Sequence, residues 1–415
     1  MKFLLTRLPI LLFLALPLSL RGAEEGPRKA GRVPEKIWQD PAFASLPKTQ
    51  RRAWEEWMTR SVAMREAEAR QLADEAGRTW RHKVLTPKKP KEHTVPPDKK
   101  PDAWYGTAEA RKMAGSLLTW QTPSGGWTKN MDMTRRPRKL AQRWAPGEKW
   151  DYVATIDNRA TTSQIEFLAK TAAASGPGPQ GDRYRQAAEH GIYYLLAAQM
   201  PSGGWPQVFP LQGRYHDHIT FNDDAMVRVL TLLRHVERGE APWQFVSDSC
   251  RAAARHAVRR GTGCILRCQI VVKGQRSAWC AQHHAITLAP VPARAYEPAS
   301  ISGGESVNIL RFLMSLDPDT PGVRQAVESG TAWFRKARLK PGQAGVEASR
   351  TQPEWARFYE LGTSRPIFSD SDGKIRYSYK EVKNKKDTYA WHTSSPEKLL
   401  QTDYPKWKAK QSKED

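Results

Sequence analysis

Five short stretches carry more carboxylates, cations and glycines than packing requires. The first is Gly125-Gly126-Trp127-Thr128-Lys129-Asn130, and the second is Thr155-Ile156-Asp157-Asn158-Arg159. The third runs from Tyr215 to Met226 and contains Asp223-Asp224. The fourth joins Trp279–His284 to Arg294-Ala295-Tyr296-Glu297 and to Ser302-Gly303-Gly304-Glu305. The fifth is Trp355–Glu360 followed by Arg365-Pro366-Ile367-Phe368. Asp223 and Asp224, two adjacent carboxylates, would supply hard oxygen ligands suited to a cation such as calcium.

Each cluster also has a plain structural reading. Asp157 and Asn158 precede a helix and would cap it, and Asp223-Asp224 start another. Glu305 favours a helix dipole in a first turn. Arg357 would pair with Glu360 across one helical face. Asp370-x-Asp372-Gly373 lacks the later Glu of a calcium loop and reads as a surface turn. Trp127 and Trp205 would stack on a sugar face or fill a core. His216, His218, His283 and His284 read first as structural.

The elements that must position these residues are mainly helices. Segments 107–120, 159–174, 181–199, 222–238, 246–260, 303–315 and 321–336 show three-to-four spacing. In 181–199 the stripe is Tyr184, Ala187, Ala188, Ile192, Leu195 and Leu196. The best strand candidate is Ile265–Val272. QTPSGGW at 121–127 recurs as QMPSGGW at 199–205, with six of seven positions identical. In both copies a helix ends at the Gln and a Gly-Gly turn presents a Trp. Helical hairpins with a shared end-turn predict an α/α toroid whose turns build a cleft at one end.

The 415 residues carry a formal net charge of +23, which predicts attraction to a polyanion. No nucleic-acid reading motif is present. Met1-Lys2 and Arg7 precede an apolar run from Leu8 to Leu20, the pattern of a secretory leader ending near Ala23. That run is too short to span a bilayer comfortably. Residues 24–101 read as a charged helical extension, with helix over 37–82, closed by a Pro/Lys-rich linker over 85–101. A catalytic domain then spans 102–408. Cys250, Cys264, Cys268 and Cys280 fit two disulfides, buried thiols or, with His283 and His284, a loose zinc site.

Taken in order, QTPSGGW, ATIDN, PSGGWPQVFPL, YHDHITFNDDAM, WCAQHH, PARAYE, SISGGES, WARFYE and RPIF resemble the pectate lyases of polysaccharide lyase family ten. The resemblance covers about residues 102–392. It implies an incomplete α/α toroid with a substrate groove, Ca2+, and anti β-elimination on polygalacturonate. It places Arg294 as the base, although guanidinium resists deprotonation and a carboxylate clamp is the alternative. It puts Asp157 at the calcium–substrate site, with Asp223 or Asp224 as partner. Lys129, Asn158, Trp127, Trp205, Tyr296, Arg357 and Arg365 become substrate-binding candidates, and a secreted or periplasmic monomer is expected. Two departures stand out: Arg159 follows TIDN where the pattern has Gly, and Thr128 replaces a Pro.

Overall fold

Apolar spacing and punctuation together set the helices. The computed structural model describes residues 37, 39–80, 82–88, 95–146, 154–317, 319–345, 352–383 and 390–411. The expected leader, 1–23, lies outside these residues, as do linker positions 89–94. The main helices are α1 (Lys48–Gly77), α2 (Ala108–Trp120), α3 (Thr162–Ser175), α4 (Pro179–Ala198), α5 (Ala225–Arg238), α6 (Asp248–Cys268), α7 (Glu305–Met314) and α8 (Val323–Ala337). Thr107 caps α2 by accepting from the Ala110 N–H, and Ser247 caps α6 by accepting from that of Cys250. Pro179 opens α4 with a φ already suited to a helix. Among the described residues no helix is long and apolar enough to cross a membrane.

The strand expected at Ile265–Val272 is corrected. Ala254, Ala257, Val258, Gly261, Cys264, Ile265 and Cys268 continue one buried helical stripe, so α6 runs on to Cys268. Of that stretch only Val271–Val272 forms a strand, paired with Gln275–Arg276. All four cysteines are buried free thiols, and Cys264 and Cys268 sit one turn apart on α6. Their sulfurs are 3.9 Å apart.

Helices pack in sequence: α3 against α4, α5 against α6, and α7 against α8. The end-turn repeat joins these pairs. Gln121 Nε2 donates to Gly125 O and to Ala187 O of α4, each at 2.8 Å. Gln199 Nε2 does the same to Gly203 O and to Ala257 O of α6, each at 2.9 Å. Each Gln thus closes its own turn and ties it to the next hairpin. Gly125 and Gly203 have φ of +100° and +97°, and a Cβ there would lie 2.4 Å from His190 O and 2.5 Å from Arg260 O. Only glycine fits.

The structure reveals two further copies. Gln269 Nε2 donates to Ser277 O and to Ala326 O of α8 at 3.0 Å each. The indole N–H of Trp127, Trp205, Trp279 and Trp355 donates to Leu117, Leu195, Ile265 and Phe334, closing α2, α4, α6 and α8 in turn. The Val271–Arg276 hairpin lengthens the third turn, which hides it from a search at fixed spacing. Repeated helical hairpins with these shared ends make the α/α toroid.

One core runs through the molecule. Trp54, Trp57 and Met58 of α1 belong to it together with Tyr105, Leu168 and Leu195, so α1 shares this core with the helices of the toroid. A smaller cluster of Phe358, Ile367, Phe368, Val382 and Trp391 lies under an antiparallel sheet. Its strands are Ile301–Ser302, Phe358–Tyr359, Pro366–Ser369 and Ile375–Arg376.

Candidate active site

The toroid delivers its acids by repetition. After each end-turn Trp, the chain returns to bond the Trp carbonyl. Thr155 N donates to Trp127 O, Thr220 N to Trp205 O, and Ser302 N to Trp279 O. Asp157, Asp223 and Glu305 follow within two or three residues, at the entries to α3, α5 and α7. Asn158 and Asp223 share one backbone geometry, with φ, ψ of 50°, 37° and 51°, 31°. Arg159 and Asp224 follow at φ of +67° and +60°.

The capping reading of Asp157 does not hold. Its carboxylate is buried, and Lys129 donates to Oδ2. Oδ1 is buried with no hydrogen-bond partner. Asp223 stands beside it. Burial, then Asp157, then Glu305 push the Asp223 carboxyl up to about 6, and Arg357 opposes the rise. Arg357 donates to Glu305 Oε1 at 3.2 Å. It does not pair with Glu360, because residues 355–359 form strands rather than a helix. Glu360 instead accepts from Thr363 and Tyr377. Asp224 is engaged elsewhere, accepting from Asn308 at 2.8 Å with Arg228 at 3.8 Å. Asp223 rather than Asp224 is therefore the carboxylate placed with Asp157.

Arg294 acts electrostatically on both Tyr215 and His216. These rings stack at 3.9 Å between centroids. Burial pushes the Tyr215 hydroxyl up to about 12, with Arg294 lowering it and Glu297 and Asp157 raising it. Burial, then Lys129, push His216 down to about 4, while Asp157 raises it. The pair thus lies within electrostatic range of both Asp157 and Arg294. Arg294 donates to Glu297 through Nε and Nη2, each at 2.7 Å, and lies 5.2 Å from the Tyr296 ring centre. Tyr215, His216, Glu297 and Glu305 lie within the motifs, but residue type alone does not mark them as site residues. Glu297 was signalled by its spacing, three residues after Arg294.

The tryptophan assignment is corrected. Trp127 and Trp205 are 0% exposed, so neither can stack on a sugar. Arg365 lies over the Tyr377 ring at 3.9 Å, beside Glu360, and its described contacts do not include the acidic cluster. His283 accepts from Cys280 N–H at Nε2 and donates from Nδ1 to Leu288 O, which fixes a neutral buried ring. His284 pairs with Asp40. Asp372 pairs with Arg376 around a turn at Gly373, the surface turn expected.

Lys129, Asn158, Arg159, Asp223 and Asp224 line a cavity of about 410 Å3. A second cavity, of about 450 Å3, adjoins it and shares Arg159, Asp224 and Arg228.

Comparison with known proteins now bears on this site. Residues 121–400 match the family model described as pectic acid lyase. The family 10 polysaccharide lyase from Cellvibrio cellulosa superposes with a TM-score of 0.63 at 33% identity, covering 73% of this chain and 94% of that one. An aspartate-to-alanine mutant of that lyase, in complex with trigalacturonic acid, gives the same TM-score and coverage at 32% identity. The chain belongs to polysaccharide lyase family 10. Among curated proteins none matches this chain. As a family 10 lyase it is an enzyme of the pectate lyase class, and the matched segment contains every residue of the cluster just described. The fold seen in the helical repeat is the family's α/α toroid.

Proposed function

We propose that this protein cleaves α-1,4-polygalacturonate by calcium-assisted anti β-elimination and leaves 4,5-unsaturated oligogalacturonates. One observation carries the reading: buried Asp157 has an oxygen without a hydrogen-bond partner, set beside Asp223. Two carboxylates this close repel each other, and a hard cation between them would relieve the repulsion. Asp157 and Asp223 would hold Ca2+. Lys129 takes only Oδ2 of Asp157, so it orients that carboxylate without closing the site. When bound, calcium neutralises the sugar carboxylate, so that enolate-like charge can develop next to C5.

The chain's own residues account for the remaining steps. Lys129 and Arg357 add positive charge near the sugar carboxylate. Arg294 takes the C5 proton, the C4–O4 bond breaks, and a C4=C5 double bond forms with no water added. O4 leaves with the departing chain and takes up a proton from solvent, and Asp157, at the calcium–substrate site, would assist its departure. One observation favours a second role for Arg294. Its bidentate pair with Glu297 stabilises the protonated guanidinium, which suits a clamp on the sugar carboxylate. The base role requires Arg294 to leave Glu297 when substrate binds.

We further propose that residues 1–23 direct export, that the net charge of +23 favours the polyanionic substrate, and that the enzyme acts as a monomer. The test is absorbance at the ultraviolet band of an unsaturated uronate, with polygalacturonate at alkaline pH. A rise that a chelator abolishes and added calcium restores supports the proposal. Folded protein that gives no rise overturns it.

A further inference from the structure

Arg159 is an unusual residue to find at a cavity wall. Its φ of +67° is a conformation in which Cβ crowds the backbone, and glycine is preferred there. A long side chain held in this geometry needs another reason to be present. Arg159 and Arg228 are the two guanidinium groups shared by both cavities beside the acidic cluster. Arg159 is paired with Asp98, which lies in the Pro/Lys-rich segment. Val95 of that segment lines the first cavity, and Asp98 lines the second. The pair is open to solvent, at 31% exposure for the Arg159 side chain and 37% for that of Asp98. An exposed pair of this kind is weak and easily exchanged for another carboxylate.

We propose that Arg159 determines specificity: it binds the carboxylate of a galacturonate unit lying where the two cavities meet, and Asp98 holds the guanidinium there until substrate displaces it. This deepens the lyase reading and rests on it. A free carboxylate matches the guanidinium in charge and in its two-point geometry, whereas a methyl ester offers neither. Arg159 therefore selects substrate units that carry no ester.

The test uses the full chain and three variants. Arg159→Gly removes the cation and relieves the backbone, so its melting temperature should not fall. Arg159→Lys keeps the charge without the fork. Asp98→Asn removes the competing carboxylate. KM and kcat are measured on polygalacturonate and on partly methyl-esterified pectin, and binding of trigalacturonate is measured by calorimetry. Arg159→Gly should raise KM on polygalacturonate about tenfold, the effect of one charge-assisted hydrogen bond, with the loss in KM exceeding that in kcat. Its preference for unesterified over esterified substrate should shrink. Arg159→Lys should fall between wild type and Arg159→Gly, and Asp98→Asn should lower KM. Unchanged KM and unchanged ester preference in Arg159→Gly overturn the proposal. So does weaker binding in Asp98→Asn equal to that in Arg159→Gly, which would mark a structural bridge only. If wild-type protein yields no unsaturated product, the lyase reading fails on its own. Calorimetry with trigalacturonate then still decides whether Arg159 binds a sugar carboxylate.

Discussion

Replacing Asp223 with Asn should make the calcium-free protein more stable while removing its response to calcium. Asp223 is pushed up to about 6 from an ordinary 3.8, first by burial and then by Asp157 and Glu305. A carboxyl raised in the folded state contributes stability at low pH, and that contribution is lost as pH rises through 6. For a fully buried group the loss at pH 7 to 8 would be about 3 kcal/mol. The Asp223 residue as a whole is exposed to solvent, which screens the repulsion and leaves about 1 kcal/mol. Asn is neutral and similar in shape. It also suits the backbone, because Asn158 already adopts the same left-handed geometry in the preceding repeat. Urea unfolding with a chelator present, from pH 5 to pH 8, measures the effect. Asp223→Asn should exceed wild type by about 1 kcal/mol at pH 8, a rise of roughly 2 °C in melting temperature, and the gap should narrow by pH 5 and close only below the ordinary carboxyl value of 3.8. Calcium should then stabilise wild type and leave the variant unmoved. A variant less stable than wild type at pH 8, or a gap that does not change with pH, would refute the electrostatic argument.

Three further outcomes follow from the structure. Arg294→Ala should lower kcat by about 10²- to 10⁴-fold in the ultraviolet assay. If Arg294 is the base, Arg294→Lys should retain activity whose rising limb moves to lower pH, because an ammonium deprotonates more readily; if it is a clamp, the profile should keep its position. Trp205→Ala should destabilise by about 3–5 kcal/mol in chemical unfolding, since it empties a fully buried site and orphans the Leu195 carbonyl. A specific loss of substrate binding with stability unchanged would instead restore Trp205 to the groove. Glu68, buried on α1 beside Ser124, is pushed up to about 8 by burial. Its contribution is fully present below about pH 4.5 and is lost as pH rises to 8, so the advantage of Glu68→Gln in melting experiments should be smallest near pH 4, grow up to pH 8 and stay constant above it.

How much of this was legible depended on whether a signal was local. Helical periodicity is local, and it located most of the helices within a few residues. It failed at Ile265–Cys268, where a β-branched, Cys-rich stretch belongs to the buried stripe of α6. The end-turn repeat was visible in two copies because their spacing is identical. Two more copies escaped because insertions lengthened their loops while the Trp hydrogen bond stayed the same.

Residue types alone determined that this is a helical, strongly basic chain with acids and cations gathered at turn positions, and the joint order of its motifs was enough for the family. Which carboxylate faces which was a tertiary decision. Asp157, Asp223 and Glu305 come from three hairpins far apart in sequence, and only closure of the toroid sets their charges against each other. The same closure buried Trp127 and Trp205, joined Arg357 to Glu305 rather than Glu360, and sent Asp224 to Asn308. Sequence spacing reports neighbours along one element. Electrostatic repulsion and burial depend on distances between elements, and those exist only once the core has packed.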